Sequence, residues 1–80
     1  MSALTYCIVD FPATAEQYDA AIETAESVRK SLDESQCVLK WSGDTPGAFD
    51  GLTTFTHAEI LPIMHSSAWS APMPHGDGGD

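Results

Sequence analysis

The chain has 80 residues, enough for a single domain with a modest core. Its 12 acidic residues outnumber its 3 basic ones, and the formal charge is −9. That charge argues against direct binding to nucleic acid or to an anionic membrane, because both would repel the chain, and it permits a basic protein partner. The N-terminal segment has no basic region and its apolar run ends at Asp10. We therefore expect neither a signal peptide nor a membrane span, and we expect a cytoplasmic location.

The first two predicted elements are a strand and a long helix. Residues 3–11 are rich in β-branched and aromatic side chains and stop before a proline, so they predict a strand with apolar residues on both faces. Residues 14–34 have the pattern of one helix, which begins with the capping-box residues Thr14 and Gln17. Apolar residues recur there at spacings of three and four, as on one helical face. They are Tyr18, Ile22, Ala25, Val28 and Leu32.

The other two sides of this predicted helix carry different chemistry. One side is an acidic stripe, made of Glu16, Asp19, Glu23 and Glu26. The remaining side is small and uncharged, which either reflects ordinary exposure or allows another backbone to approach closely. Its members are Gln17, Ala20, Thr24, Ser27 and Ser31.

The second half of the chain predicts two further strands and a short helix. Residues 36–41 form a second strand, expected to run parallel to the first through a right-handed crossover. Residues 42–51 are turn-forming, with Phe49 as the anchor of the loop, and residues 52–55 predict a third strand antiparallel to the second. Thr56 opens the second helix with another capping box.

Together these elements predict an α+β fold. It has a small three-stranded sheet in the order β-α-β-β-α, with one long helix packed on a face and a short second helix. Residues 1–70 form one domain, and residues 71–80 form an extended Pro/Gly-rich acidic tail.

Candidate chemistry is sparse. The histidines His57, His65 and His75 lie too far apart in sequence to place two imidazoles on one helical turn. No nucleophile motif or phosphate-binding loop is present, so we expect no catalytic residue, no cofactor and no metal. Cys7 and Cys37 lie in apolar strand-like runs and are expected to be buried thiols, although a disulfide between neighbouring strands stays open.

Two segments resemble known groups of proteins. The strand TYCIVDFP followed by AEQYDAAI resembles, over about the first forty residues, the dimeric α+β barrel (ferredoxin-like) proteins, which include cofactor-free monooxygenases. This resemblance implies a cofactor-free oxygenase or a small-ligand-binding subunit, with a pocket lined by Tyr6, Trp41 and His57. The run TFTHAEILPIM, with Trp69 beyond it, resembles small uncharacterised bacteriophage proteins. It implies an accessory or virion structural component, in the host cytoplasm or in the virion.

The favoured function is a small acidic, non-catalytic interaction or assembly protein that binds a protein partner or itself. The motivation is the aromatic and apolar load, which includes Trp41, Phe49, Trp69 and Met73, residue types that are common at interface cores. The alternatives are the monooxygenase-like subunit and an acidic mimic of nucleic acid. The predicted partner contacts are Ala20, Thr24, Ser27, Ser31, Trp69, Pro72, Met73 and Pro74.

Overall fold

The computed structural model describes residues 3–22 and 27–73, the last three by their backbone alone. Within these residues it has five strands, two α-helices and one short 3-10 helix, Gly47–Phe49. The strands and helices are β1 (Leu4–Asp10), α1 (Ala15–Ala20), β2 (Val28–Ser31), β3 (Gln36–Ser42), β4 (Thr54–Thr56), α2 (His57–Met64) and β5 (Trp69–Met73).

The five strands form one antiparallel sheet in the order β4-β1-β3-β2-β5. Its longest pairing joins β1 to β3, from Leu4 opposite Ser42 to Asp10 opposite Gln36. β4 pairs with the other edge of β1, so β1 lies inside the sheet. Its side chains contribute to the apolar clusters on both faces, as the sequence predicts. The α+β class is confirmed, but the predicted three-stranded sheet with one long helix is wrong.

The long helix predicted over residues 14–34 is absent. α1 ends at Ala20, because Ala21 is already extended and the Ile22 N–H donates to the Lys40 carbonyl at 2.9 Å. The chain then enters β2 at Val28, while residues 23–26 lie outside the description. A spacing of three and four is a local signal, whereas the strand pairing of β2 with β3 depends on residues distant in the sequence. The tertiary pairing therefore overrides the helical pattern.

The strand connections also differ from the prediction. β1 and β3 are antiparallel neighbours, with Cys7 opposite Leu39, because β2 lies between them in the chain and reverses its direction. β4 pairs with β1, where Phe55 lies opposite Tyr6, and not with β3. β5 pairs with β2 and extends to Met73, which places three residues of the predicted tail in the sheet.

One face of the sheet, here the α1 face, packs against α1 and the 3-10 helix. At its centre Trp41 stacks on Phe49 with ring centroids 4.1 Å apart, and both side chains are almost fully buried. Phe49 therefore anchors the loop after β3, as predicted. The buried residues of this face are Cys7, Val9, Ala13, Ala21, Val28, Cys37, Leu39, Trp41 and Phe49.

The opposite face, here the α2 face, packs against α2. Tyr6, Val38 and Ile60 are its buried residues. Half-buried apolar residues surround them, namely Leu4, Ile8, Phe55, Ile63, Met64 and Trp69. The sheet is thus the middle layer of three.

Both predicted capping boxes are present. Thr14 accepts from the Gln17 N–H at 3.1 Å, and Thr56 accepts from the Glu59 N–H at 3.2 Å. In each case the backbone N–H of the cap residue donates to the side-chain oxygen of the third helical residue. Local chemistry therefore fixes where each helix begins.

Candidate functional site

An open cleft of about 490 Å³ lies between the turn that joins β2 to β3 and the segment that joins α2 to β5. Two long-range contacts hold its walls together. Ser31 lies directly opposite Trp69 in the β2–β5 pairing, and the Leu32 N–H donates to the Ala68 carbonyl. The cleft is lined by Ser31, Leu32, Asp33, Gln36, Ser67, Ala68 and Trp69.

Asp33 organises the turn on one wall of this cleft. Its Oδ1 accepts hydrogen bonds from the Ser31 hydroxyl at 2.7 Å, the Ser35 hydroxyl at 2.6 Å and the Ser35 N–H at 3.0 Å. The Ser31 hydroxyl in turn accepts from the Gln36 N–H at 3.2 Å. These hydrogen bonds, first those from Ser35 and Ser31, lower the pKa of the Asp33 carboxyl from 3.8 to about 2. The cleft therefore carries an ionised carboxylate with a defined orientation.

The same turn presents an apolar side chain to solvent. Glu34 has a φ of 64°, in the left-handed region, and its N–H donates to the Ser31 carbonyl at 2.9 Å. This closes the chain reversal immediately after Leu32, whose side chain is 64 % exposed. Trp69, on the other wall, is half-buried against the α2 face. An exposed leucine and a partly exposed tryptophan that line one cleft provide the kind of apolar side chains found at interface cores.

Among the residues that line the cleft, Asp33 carries the charge. Arg29 lies close by and donates to the Ser70 carbonyl at 3.4 Å. The Lys30 ammonium lies 3.6 Å from a Glu34 carboxylate oxygen and 4.8 Å from the centre of the Phe11 ring. That pairing offsets the charge of Glu34. The charge of Asp33 has no such basic partner among the residues that line the cleft.

A second polar cluster lies on the α2 face. The Tyr6 hydroxyl is 2.9 Å from His57 Nδ1, and Lys40 lies opposite Tyr6 in the β1–β3 pairing. Burial raises the pKa of Tyr6, and the nearby positive charge of Arg29 lowers it in part. The hydroxyl is therefore neutral near pH 7 and acts as a hydrogen-bonding group. Its bond to His57 joins β1 to the start of α2.

The structure brings some of the predicted contact residues together and separates others. Ser31 and Trp69 are cross-strand neighbours at the cleft, and Pro72 and Met73 continue β5 along the edge of the sheet. The predicted small helical face does not exist. Ser27 and Ser31 lie on either side of Val28 and are buried, and Ala20 is half-buried at the end of α1. Thr24 and Pro74 lie outside the described residues.

The predicted ligand pocket is not assembled. Tyr6 and His57 meet on the α2 face, whereas Trp41 lies in the core of the α1 face. The two cysteines are free and buried. Cys7 lies opposite Leu39 and Cys37 lies opposite Val9, so the thiols are diagonal neighbours. The Cα atoms of such diagonal pairs are about 7–8 Å apart, which is too far for an unstrained disulfide.

The described residues contain no group of three side chains suited to hold a metal ion. His75 lies outside this part of the chain. Neither α-helix in residues 3–22 and 27–73 has the length and apolar character to cross a membrane.

Sequence reasoning missed Leu32 and Asp33 as site residues, because both were placed inside the long helix. A usable signal was nevertheless present. Aspartate flanked by serines two residues away on each side, between two β-prone runs, is typical of a turn in which the carboxylate accepts backbone and hydroxyl hydrogen bonds.

Comparison with family models finds no match for this chain, and comparisons with curated proteins and with solved structures find none either. The predicted resemblances to dimeric α+β barrel proteins and to bacteriophage proteins are therefore wrong. The five-stranded antiparallel sheet also differs from the predicted three-stranded sheet, and the helix that follows β1 ends at Ala20.

Proposed function

We propose that this protein is a non-catalytic interaction protein that docks a partner protein in the cleft between the β2–β3 turn and β5. The observation that carries the proposal is that the exposed Leu32 and the half-buried Trp69 line the same cleft, with Leu32 on a turn fixed by internal hydrogen bonds. A fixed turn loses little conformational freedom on binding, so contacts made there contribute more fully to affinity.

The edge of the sheet supports the same proposal. β5 pairs with β2 on one side, and no described strand pairs with its outer side. A partner can therefore approach both the cleft and the adjacent strand edge. Pro72 within β5 cannot donate a backbone hydrogen bond, which limits how far a foreign strand can pair along this edge. Side-chain contacts in the cleft then set the specificity.

Self-association is less favourable than binding to a different protein. A second copy brings another formal charge of −9, and like charges oppose association at low ionic strength. Sedimentation of the full chain over a range of concentrations tests this point directly. We expect a monomer in the absence of partner.

A photo-crosslinking experiment tests the proposal. A photoreactive amino acid is placed at Leu32, or at Leu52 as the matched control, in the full chain within its native cells. Leu52 is also an exposed leucine, 43 % accessible, but it lines a different cleft near Pro12. We expect a discrete adduct from position 32 that is absent from position 52, with the adduct identified by mass spectrometry.

The captured protein is then purified and its affinity is measured with wild type, Leu32→Ala and Leu52→Ala. Removing the exposed leucine from the cleft should weaken binding about tenfold, because a buried leucine contributes about 1.5 kcal/mol or more. Leu52→Ala should change nothing. Equal affinities for all three chains, or no adduct specific to position 32, would reject the proposal.

A further inference from the structure

We propose that the cleft binds an extended basic segment of the partner, with one apolar side chain against Leu32 and Trp69 and an adjacent arginine or lysine on Asp33. This inference rests on the proposed function and adds the chemistry of the occupant. It depends on three observations, which are the charge of the cleft, the geometry of the Asp33 carboxylate, and the size of the opening.

The first observation is the distribution of charge. The 3 basic residues of the chain, Arg29, Lys30 and Lys40, all lie in β2 and β3, and none lines the cleft. Lys30 is occupied by Glu34 and by the ring of Phe11. An incoming cation therefore meets a carboxylate with no competing base on the cleft wall, in a chain whose formal charge is −9.

The second observation is the geometry of Asp33. All three hydrogen bonds that it receives from Ser31 and Ser35 end on Oδ1. Oδ2 receives none of these three, and the carboxylate is held in place before any ligand arrives. A guanidinium or ammonium group can pair with the carboxylate without the cost of ordering it, and such charge-assisted hydrogen bonds are stronger than neutral ones.

The third observation is size. A volume of about 490 Å³ lies within the range of roughly 300–1,000 Å³ that is typical of small binding sites. It accommodates a few side chains of an extended segment and not the surface of a folded domain. The apolar Leu32 and Trp69 and the anionic Asp33 line the same cleft. The occupant therefore needs an apolar residue and a cation within a short stretch of chain.

The test uses three synthetic peptides of six residues that differ only in the side chains at two positions, which are basic, neutral or acidic. The probe is Gly-Leu-Phe-Arg-Lys-Gly with blocked ends; the controls replace Arg and Lys with two glutamines or with two glutamates. Each peptide is titrated into the isotopically labelled full chain, and binding is followed by NMR through the amide chemical shifts of the protein. We expect the basic peptide to shift the amides of Leu32, Asp33 and Trp69 and to bind about tenfold more tightly than the glutamine peptide. Added salt should reduce this preference.

Matched variants locate the contacts. Asp33→Asn keeps an oxygen that can accept the turn hydrogen bonds and removes the charge, so it should weaken the basic peptide about tenfold and leave the glutamine peptide unchanged. Leu32→Ala should weaken both of these peptides. Asp50→Asn and Leu52→Ala alter exposed residues outside the cleft and should leave all affinities within about twofold.

The outcomes separate this inference from the proposed function. Equal binding of the basic and glutamine peptides, tighter binding of the glutamate peptide, no binding of the basic peptide, or an unchanged affinity in Asp33→Asn would overturn the inference. If any of these results accompanies a partner crosslinked specifically at position 32, the docking function stands and the basic occupant is rejected. If the crosslink is also absent, both proposals fail.

Discussion

The two faces of the sheet are closed to different degrees. On the α1 face, seven other buried apolar residues pack with the Trp41–Phe49 stack, in the part of the chain that the structure describes. On the α2 face the buried apolar residues are Tyr6, Val38 and Ile60, within a ring of half-buried side chains. One of these is Trp69, which also lines the candidate cleft. The α1 face therefore contains most of the packed core, and the α2 face is less completely covered near the proposed docking cleft.

This difference has a physical origin. A long loop brings Phe49 back onto the α1 face, where its ring stacks on Trp41 and the 3-10 helix packs beside α1. The α2 face relies on an eight-residue helix to cover five strands. A short helix leaves the edge of the face uncovered, and Trp69 lies at that edge.

The largest expected effect comes from opening the α1 face. Trp41→Ala removes a side chain that is 2 % exposed, together with its stack on Phe49. The free energy of unfolding should fall by about 3–5 kcal/mol, a large share of the total stability of a small domain. Urea unfolding followed by circular dichroism measures the loss. Leu52→Ala, at an exposed position, is the control. Similar losses of stability in the two variants would contradict the importance of the Trp41–Phe49 stack for the fold.

Thiol reactivity probes how tightly the α1 face is closed. Burial raises the pKa of Cys7, and burial, aided by the charges of Asp10 and Cys7, raises the pKa of Cys37 to about 11. We therefore expect both thiols to react with a thiol reagent at least about a hundredfold more slowly in the native protein than in urea. Rapid labelling of either cysteine in the native state would show that this face opens locally.

A smaller effect is expected from the hydrogen bond on the α2 face. Tyr6→Phe removes the bond to His57, and the exposed imidazole regains water, so the loss should be about 1 kcal/mol. A double-mutant cycle with His57→Ala isolates the pairwise energy. If the double variant lost only the sum of the two single-variant losses, the hydrogen bond would contribute nothing to stability.

The smallest effect concerns the turn beside the cleft and depends on pH. The pKa of Asp33 is about 2 in the folded chain and 3.8 ordinarily, so its hydrogen bonds stabilise the fold fully above about pH 4. This contribution is lost as the pH falls from about 4 toward 2. Asp33→Asn does not titrate, so its stability should decline less than that of wild type over this window. Thermal unfolding at several pH values measures the difference, and Asp50→Asn should retain the wild-type acid sensitivity.

Local signals in the sequence were reliable wherever a few neighbouring residues decide the structure. The capping boxes at Thr14 and Thr56, the strand β1 and the anchoring role of Phe49 could all be predicted, because each depends on chemistry within a short segment or on the hydrophobicity of one residue. The predicted partner contacts included Ser31 and Trp69, two of the residues that line the cleft. Their contact with a partner stays a prediction.

The errors share one cause. Val28 and Leu32 fit a helical spacing, but Val28 is buried in a strand and Leu32 is exposed on a turn. The backbone hydrogen bonds of β2 are made with β3 and β5, which lie elsewhere in the sequence. The residues around Val28 therefore do not reveal that β5 will pair with them. Residues 71–73 of β5 were predicted to belong to a tail, because Pro72 and the glycines that follow are weak strand formers. Only the pairing with β2 places them in the sheet.

The sequence by itself determined the helix starts, the central strand, the excess of acidic charge and the small set of basic residues. These are properties of single residues or of neighbours along the chain. Only the tertiary structure decided that residues 28–31 form a strand, that β5 closes the sheet, and that Leu32, Asp33 and Trp69 share a cleft. Backbone groups in a sheet are satisfied by partners far away in sequence, so the assignment of those partners, and of any site between them, depends on the folded chain as a whole.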